Sequence, residues 1–283
     1  MRGERSSSSS SLEHPRGILL GQFAAPNFFM NLLDFLRRLE KSRSHFLPTQ
    51  MKTTLQLLIL AGAICNLQAA TTINDSTGDI DPGIATGSGT LDIVSMEVSN
   101  TATDIQFKMT VNGNVSTTDW GKFMIGISTG GPGSTSSNAW GRPIGMTSPI
   151  GGMDYWIGSW VDGGSGSQLF SWDGSAWAGP ASLGGFSLSS GGTSEITYTT
   201  SLSSLGLSMG DTFYFDAYSS GGGAGDTAID ALSNPNVSVT SWGGIYTSNA
   251  TNGISSYTLV PEPSSCLLVA GGLLAMSLSR RRR

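Results

Sequence analysis

From about residue 71 to residue 259 the chain predicts an all-β fold. Short runs of Thr, Ser, Val, Ile and aromatic residues alternate with a period of two, and clusters of Gly, Asn, Asp and Pro separate them. The span also contains no cysteine and no repeated unit, which excludes a disulfide scaffold and a solenoid. A single two-sheet antiparallel β-sandwich, jelly-roll or immunoglobulin-like, is the architecture expected to bury such strands. About 190 residues suffice for one sizeable core.

The elements follow in order. Residues 92–98 form the first expected strand, with Met96 and Val98 on the face opposite Glu97. Strands at 105–111, 122–128, 155–161 and 168–172 come next, each bounded by turn residues. Asp173-Gly174, between Trp172 and Trp177, is a tight-turn signal. Further strands are expected at 195–200, 212–218, 237–240 and 256–259. Leu202 to Leu207 suits one helical turn, ended by Gly206 or Gly210. Gly130 to Gly152 reads as a long, polar, flexible loop, a place where sandwiches often carry binding residues.

Charge and composition exclude several functions. Residues 71–259 hold fifteen acids against three bases, Lys108, Lys122 and Arg142, a net charge of −12. Such a domain repels nucleic acid and anionic lipid and tolerates divalent cations. With no histidine or cysteine in the span, Ser-His-Asp and Cys-His catalysis and the usual zinc sites are excluded. A glycosidase needs only two carboxylates, so Glu97 and Glu195, the only glutamates of the span, keep a hydrolase as the alternative class.

Both termini carry targeting features. Met51-Lys52, the apolar run Leu55 to Ile64 and the small residues Ala69-Ala70 make a secretory signal peptide over 51–70, with cleavage near Thr71. Cys65 would suit a lipoprotein only with a smaller residue than Ile64 before it. Residues 1–50, with both histidines and a serine run, read as a non-native or disordered leader outside the folded domain. At the other end Val260-Pro261-Glu262-Pro263 precedes the apolar stretch 264–279 and the basic cluster Arg280 to Arg283. Two prolines hold an extended, donor-poor segment. Sixteen helical residues rise about 24 Å, short of the ~30 Å hydrocarbon layer, so the segment makes a transient rather than a durable span. The terminal arginines hold the C-terminus in the cytoplasm. In residues, spacing and position, 260–283 resembles the PEP-CTERM sorting signal of bacterial surface proteins, which implies processing by an exosortase-type enzyme after passage through the secretion machinery. An ordinary C-terminal anchor is the other reading.

Three constellations stand out in the domain itself. Asp75, Asp79, Asp81 and Asp92, with Gly78 and Gly83 among them, supply hard oxygen ligands of the kind calcium takes, without the spacing of an EF-hand. A solvated acidic turn is the plainer alternative. All seven tryptophans lie in the domain, and along 155–161 Trp156, Gly158 and Trp160 share a face. The gap at Gly158 would admit a flat ligand such as a sugar ring, and Trp140 in the long loop is the exposed companion expected to touch it. Core filling is the competing role for each indole. The glycine-rich stretch from Gly221 to Asp230 lacks the lysine of a phosphate loop and reads as a flexible turn whose Asp226 and Asp230 cap it or bind a cation.

Asp75 to Asp79, then Asp92-Ile93 and Ile105-Gln106-Phe107, are similar to the opening of DOMON-like and family 9 carbohydrate-binding-like sandwich domains. Ser204-Leu205-Gly206-Leu207 and Gly210-Asp211-Thr212-Phe213 are similar to a later segment of the same group. The resemblance implies a sugar-associated binding module and assigns no catalytic residue. The expectation is thus an exported, non-catalytic protein of the cell surface or extracellular matrix, sorted by an exosortase-type system and associated with polysaccharide.

Overall fold

The computed structural model describes residues 70–84, 86, 89–117, 120–234 and 239–261. The expectations for the leader, for the signal peptide before Ala70, and for Glu262, Pro263 and the apolar and basic segments after them lie outside these residues. Among the described residues no helix is long and apolar enough to cross a membrane.

The described residues include fourteen strands. They are β1 (Ala70–Asn74), β2 (Ile93–Asn100), β3 (Asp104–Asn112), β4 (Lys122–Ser128), β5 (Ile144–Met146), β6 (Tyr155–Trp160) and β7 (Gly166–Trp172). After them come β8 (Trp177–Ala181), β9 (Gly185–Ser189), β10 (Thr193–Ser201), β11 (Thr212–Ser220), β12 (Ala228–Ala231), β13 (Tyr246–Ser248) and β14 (Ser255–Thr258). The first sheet runs β1-β2-β3-β10-β9, entirely antiparallel. The second runs β12-β11-β4-β6-β7-β8, also antiparallel, and β14 shares with β12 the edge of β11 that β4 leaves free. β5 and β13 form a separate parallel pair. Val239 and Thr240 belong to no strand, unlike the expectation for 237–240.

Alternation explains the first sheet. In β3, Ile105, Phe107, Met109 and Val111 are buried, while Gln106, Lys108 and Thr110 are only partly covered. Its inward face meets the second sheet: the Phe107 ring lies edge-on to Phe213 and Phe215 of β11, with centroids 6.0 and 5.7 Å away. A polar contact joins the same two sheets, since the Tyr198 hydroxyl on β10 lies 2.7 Å from Ser159 Oγ on β6. Burying a side chain such as Phe107 contributes roughly 1.5–3 kcal/mol.

The second sheet does not alternate. β4 is buried from Phe123 through Ser128, so both of its faces are covered, as a near-continuous apolar run requires. Its far side is covered by residues 129–154, which include the stretch 130–152 expected to be a flexible loop. Asp154 holds the base of this excursion, accepting from the N–H groups of Thr129, Gly131 and Gly133. Asn138 holds the tip, its amide donating to the carbonyls of Arg142 and Ile144 at 2.8 and 2.9 Å. Gly133 and Gly152 pass so closely that a side chain on Gly133 would run into the main chain of Gly152. Local polar bonds and close glycine contacts thus fix a segment whose composition alone reads as loose. The expected helical turn is a short 3-10 turn, Leu202–Leu205, ended by left-handed Gly206 at φ 62°.

Candidate functional site

Two constellations take shape on this frame. The first begins where β1 ends. Asp75 N–H bonds to the Val94 carbonyl, which keeps the chain beside β2, and Gly78 turns it back at φ 81°. Gly78 N–H then donates to Asp92 Oδ2 at 2.9 Å, and Asn112 Nδ2 donates to the same oxygen at 3.0 Å. Asp230 approaches from β12 in the second sheet. Its Oδ2 accepts from Ile93 N–H of β2 at 2.6 Å, and its Oδ1 from Ala231 N–H at 2.8 Å. Asp75, Asp79 and Asp230 each place one carboxylate oxygen so that all three lie within 4.8 Å of one another.

This arrangement is electrostatically costly. Four carboxylate oxygens here are buried without any hydrogen-bond partner: Asp75 Oδ2, both oxygens of Asp79, and Asp92 Oδ1. Burial, reinforced by the neighbouring acids, pushes Asp75 up to about 8 and Asp79 up to about 6. Asp230 also rises well above the ordinary carboxylate range, chiefly by desolvation. No base among the described residues relieves them: Lys108 pairs with Glu97, Lys122 with Asp162, and Arg142 donates to Ser220 and the Asp226 carbonyl. A cleft of about 480 Å³, lined in part by Asn74, Ser233 and Gly253, includes Asp75 of the cluster in its wall.

Of the four acids expected here, Asp75 and Asp79 enter the cluster, and Asp92 supports the turn that carries them. Asp81 does not join. Its Oδ1 accepts from Gly83 N–H at 2.8 Å, a local turn bond that turns the carboxylate to its own loop. Asp230 replaces it, brought 155 positions along the chain by strand pairing that no local pattern announces.

The second constellation is aromatic. Trp156 is fully buried and stacks on Tyr218, centroids 6.0 Å apart at 21°, so it is a core residue and cannot meet a ligand. The gap expected at Gly158 is filled by Trp140 itself: a methyl group on Gly158 would lie 2.5 Å from Trp140 Cε2. Trp140 is therefore half-buried rather than exposed, and its Nε1 donates to Gln168 at 3.3 Å. Trp160 lies over Gly166 of β7 and sits 6.5 Å from Trp140, tilted by 45°. Together they form one wall of a cleft of about 390 Å³, which Lys122, Arg142, Asp162 and Gln168 also line. The Arg142 guanidinium carbon is 5.6 Å from the centre of the Trp140 ring. Two indole faces beside planar amide, carboxylate and guanidinium groups suit a polyhydroxylated ring, whose C–H face stacks while its hydroxyls hydrogen-bond. The sequence singled out the two tryptophans and missed the four polar companions, which come from separate strands and loops.

The remaining candidates are dispersed. Glu97 on β2 and Glu195 on β10 flank β3 on the outward face of the first sheet, with Lys108 bridging to Glu97 at 3.3 Å. Asp226 caps its own turn by accepting from Gly223 N–H. Val260, the first residue of the expected sorting motif, lies against Asn100, whose Nδ2 donates to its carbonyl. No protein-family model and no curated protein matches this chain.

Proposed function

We propose that the protein is an exported, non-catalytic component of the cell surface or extracellular matrix that associates with polysaccharide. In this reading residues 71–259 form a two-sheet β-sandwich, covered on one side by residues 129–154. The polysaccharide lies in the cleft of Trp140 and Trp160. The observation that carries the reading is this pair of half-buried indoles, 6.5 Å apart, beside Gln168, Asp162 and Arg142. The non-catalytic part is supported by the position of Glu97 and Glu195, the only glutamates of residues 71–259, on an outward sheet face with Glu97 already paired to lysine.

Delivery follows from the termini. The signal peptide takes the chain through the secretion machinery, the segment 264–279 holds it briefly in the inner membrane with its C-terminus cytoplasmic, and an exosortase-type enzyme cuts near Pro261 to Pro263. The intact mass of protein recovered from the host surface tests this: it should begin near Thr71 and end between Val260 and Pro263. A mass that retains Arg283 would mean a plain anchor.

Binding of the full chain to a panel of immobilised glycans tests the ligand class. One or more glycans should bind saturably, and Trp140→Ala and Trp160→Ala should each weaken that binding by about 30-fold, as loss of an aromatic anchor does. Trp156→Phe should leave affinity unchanged. Absence of saturable binding, or affinity that survives both alanine substitutions, refutes the assignment.

A further inference from the structure

We propose that Asp75, Asp79 and Asp230 bind one calcium ion, which clamps the turn after β1 to β12 and so ties the first sheet to the second. The geometry suits one ion. Oxygens that ligate calcium lie about 2.4 Å from it, so two on opposite sides are about 4.8 Å apart. Three carboxylates from the turn and from β12 bring one oxygen each within that 4.8 Å limit.

A second observation is independent of the cluster's composition. Asp92 is 2% exposed and carries a buried Oδ1 with no partner, although its Oδ2 accepts from Gly78 N–H of the turn that bears Asp79 and from Asn112 Nδ2 at the end of β3. It also adds to the negative field at Asp75, Asp79 and Asp230 alike. Buried carboxylate oxygens are hydrogen-bonded, protonated or bound to metal. Among the described residues no donor reaches Asp75 Oδ2, either oxygen of Asp79 or Asp92 Oδ1, and all three bases of residues 71–259 are engaged elsewhere. A hard divalent cation satisfies the Asp75 and Asp79 oxygens directly and offsets the field that Asp92 adds, and main-chain carbonyls and water complete the six to eight oxygens that calcium takes. All-oxygen donors without histidine or cysteine select calcium or magnesium over zinc or copper. The three carboxylates come from the turn after β1 and from β12, an adaptable set that suits calcium better than the strict octahedron of magnesium.

Calcium titration of the full chain, followed by calorimetry and by the thermal midpoint, tests the assignment. One ion should bind with a dissociation constant of about 10⁻⁴–10⁻³ M, the range of extracellular modules, and the midpoint should rise with calcium and fall with a chelator. Asp79→Asn should abolish the calcium-induced rise. It should also raise the midpoint in chelator, because it removes a buried, unpartnered charge. A merely structural acid would instead lose stability in both conditions. Asp230→Asn should abolish the calcium response, though it also weakens the bond to Ile93, so Asp79→Asn is the cleaner variant. Failure of millimolar calcium to bind or to move the midpoint overturns the proposal. So does a calcium response that persists in Asp79→Asn, or tighter binding of magnesium than of calcium at this site.

Discussion

Gly158→Ala isolates what holds the cleft wall in place. The new methyl group would lie 2.5 Å from Cε2 and 2.7 Å from Cη2 of Trp140. Carbon atoms settle at about 3.5–4.0 Å, so the indole must retreat by about 1 Å or the β6 strand must bend. Overpacking of this kind costs about 1–3 kcal/mol. For a domain of about 190 residues that corresponds to a fall of roughly 2–12 °C in the thermal midpoint. A protein with 5–15 kcal/mol of stability, the ordinary range, stays folded after such a loss. Urea denaturation of the parent, Gly158→Ala, Trp140→Ala and the double variant measures the coupling. In the Trp140→Ala background the methyl group has open space, so Gly158→Ala should cost close to nothing there. The coupling energy should then equal the 1–3 kcal/mol or so lost in the parent background. Equal losses in both backgrounds would show that the clash is not with Trp140 and that the indole does not rest on Gly158.

The acid cluster makes the metal-free protein sensitive to pH. Asp75 and Asp79, raised to about 8 and about 6, hold protons in the folded state that the unfolded chain has released. Stability in chelator should therefore be greatest near pH 4 and fall as pH rises towards 8, followed by denaturant midpoints. Calcium at 2 mM and a dissociation constant of 10⁻⁴ M would restore about 1.8 kcal/mol at neutral pH, or about 4–7 °C. Asp81→Asn should leave that calcium response intact, since Asp81 only caps Gly83; a lost response would put it among the ligands. Glu97→Gln and Glu195→Gln should change stability by less than about 1 kcal/mol and leave glycan binding unaltered, because one glutamate is exposed and the other forms a surface pair. Loss of glycan turnover in either variant would restore the hydrolase reading.

Strands whose two faces differ were legible in the sequence. The inward and outward residues of β3 and β10 follow the alternation almost residue by residue, and the expected boundaries of β4 are those found. Short or unusual strands were not. β1 carries only Ile73 as a partly buried apolar residue, and β8 is mostly exposed and contains Pro180, so neither offers a periodic pattern. The run from Phe123 to Ile127 predicts a strand, but the sequence reading did not extend to two covered faces or to residues 129–154 as the second cover. In the same way, Trp156 and Trp160 share a face by alternation, yet only the depth of the sheet separates the core indole from the cleft indole. Asp230 was visible as an acid near a glycine-rich turn. Its meeting with Asp75 depends on where β12 pairs along β11, with Asp230 opposite Ser219, a register that no local pattern announces.

β1 lies at one edge of the first sheet, and its five residues pair with Ser95 through Ser99 of β2. On the proposed export route the signal peptidase cuts within or just before this strand, so the cleavage point sets how much of the edge exists. A cut after Ala69 leaves the full ladder. Each residue trimmed beyond it uncovers another rung of β2, whose free N–H and C=O groups then form a template for a neighbouring chain. Peptidase accuracy thereby becomes a determinant of solubility in the assembled matrix.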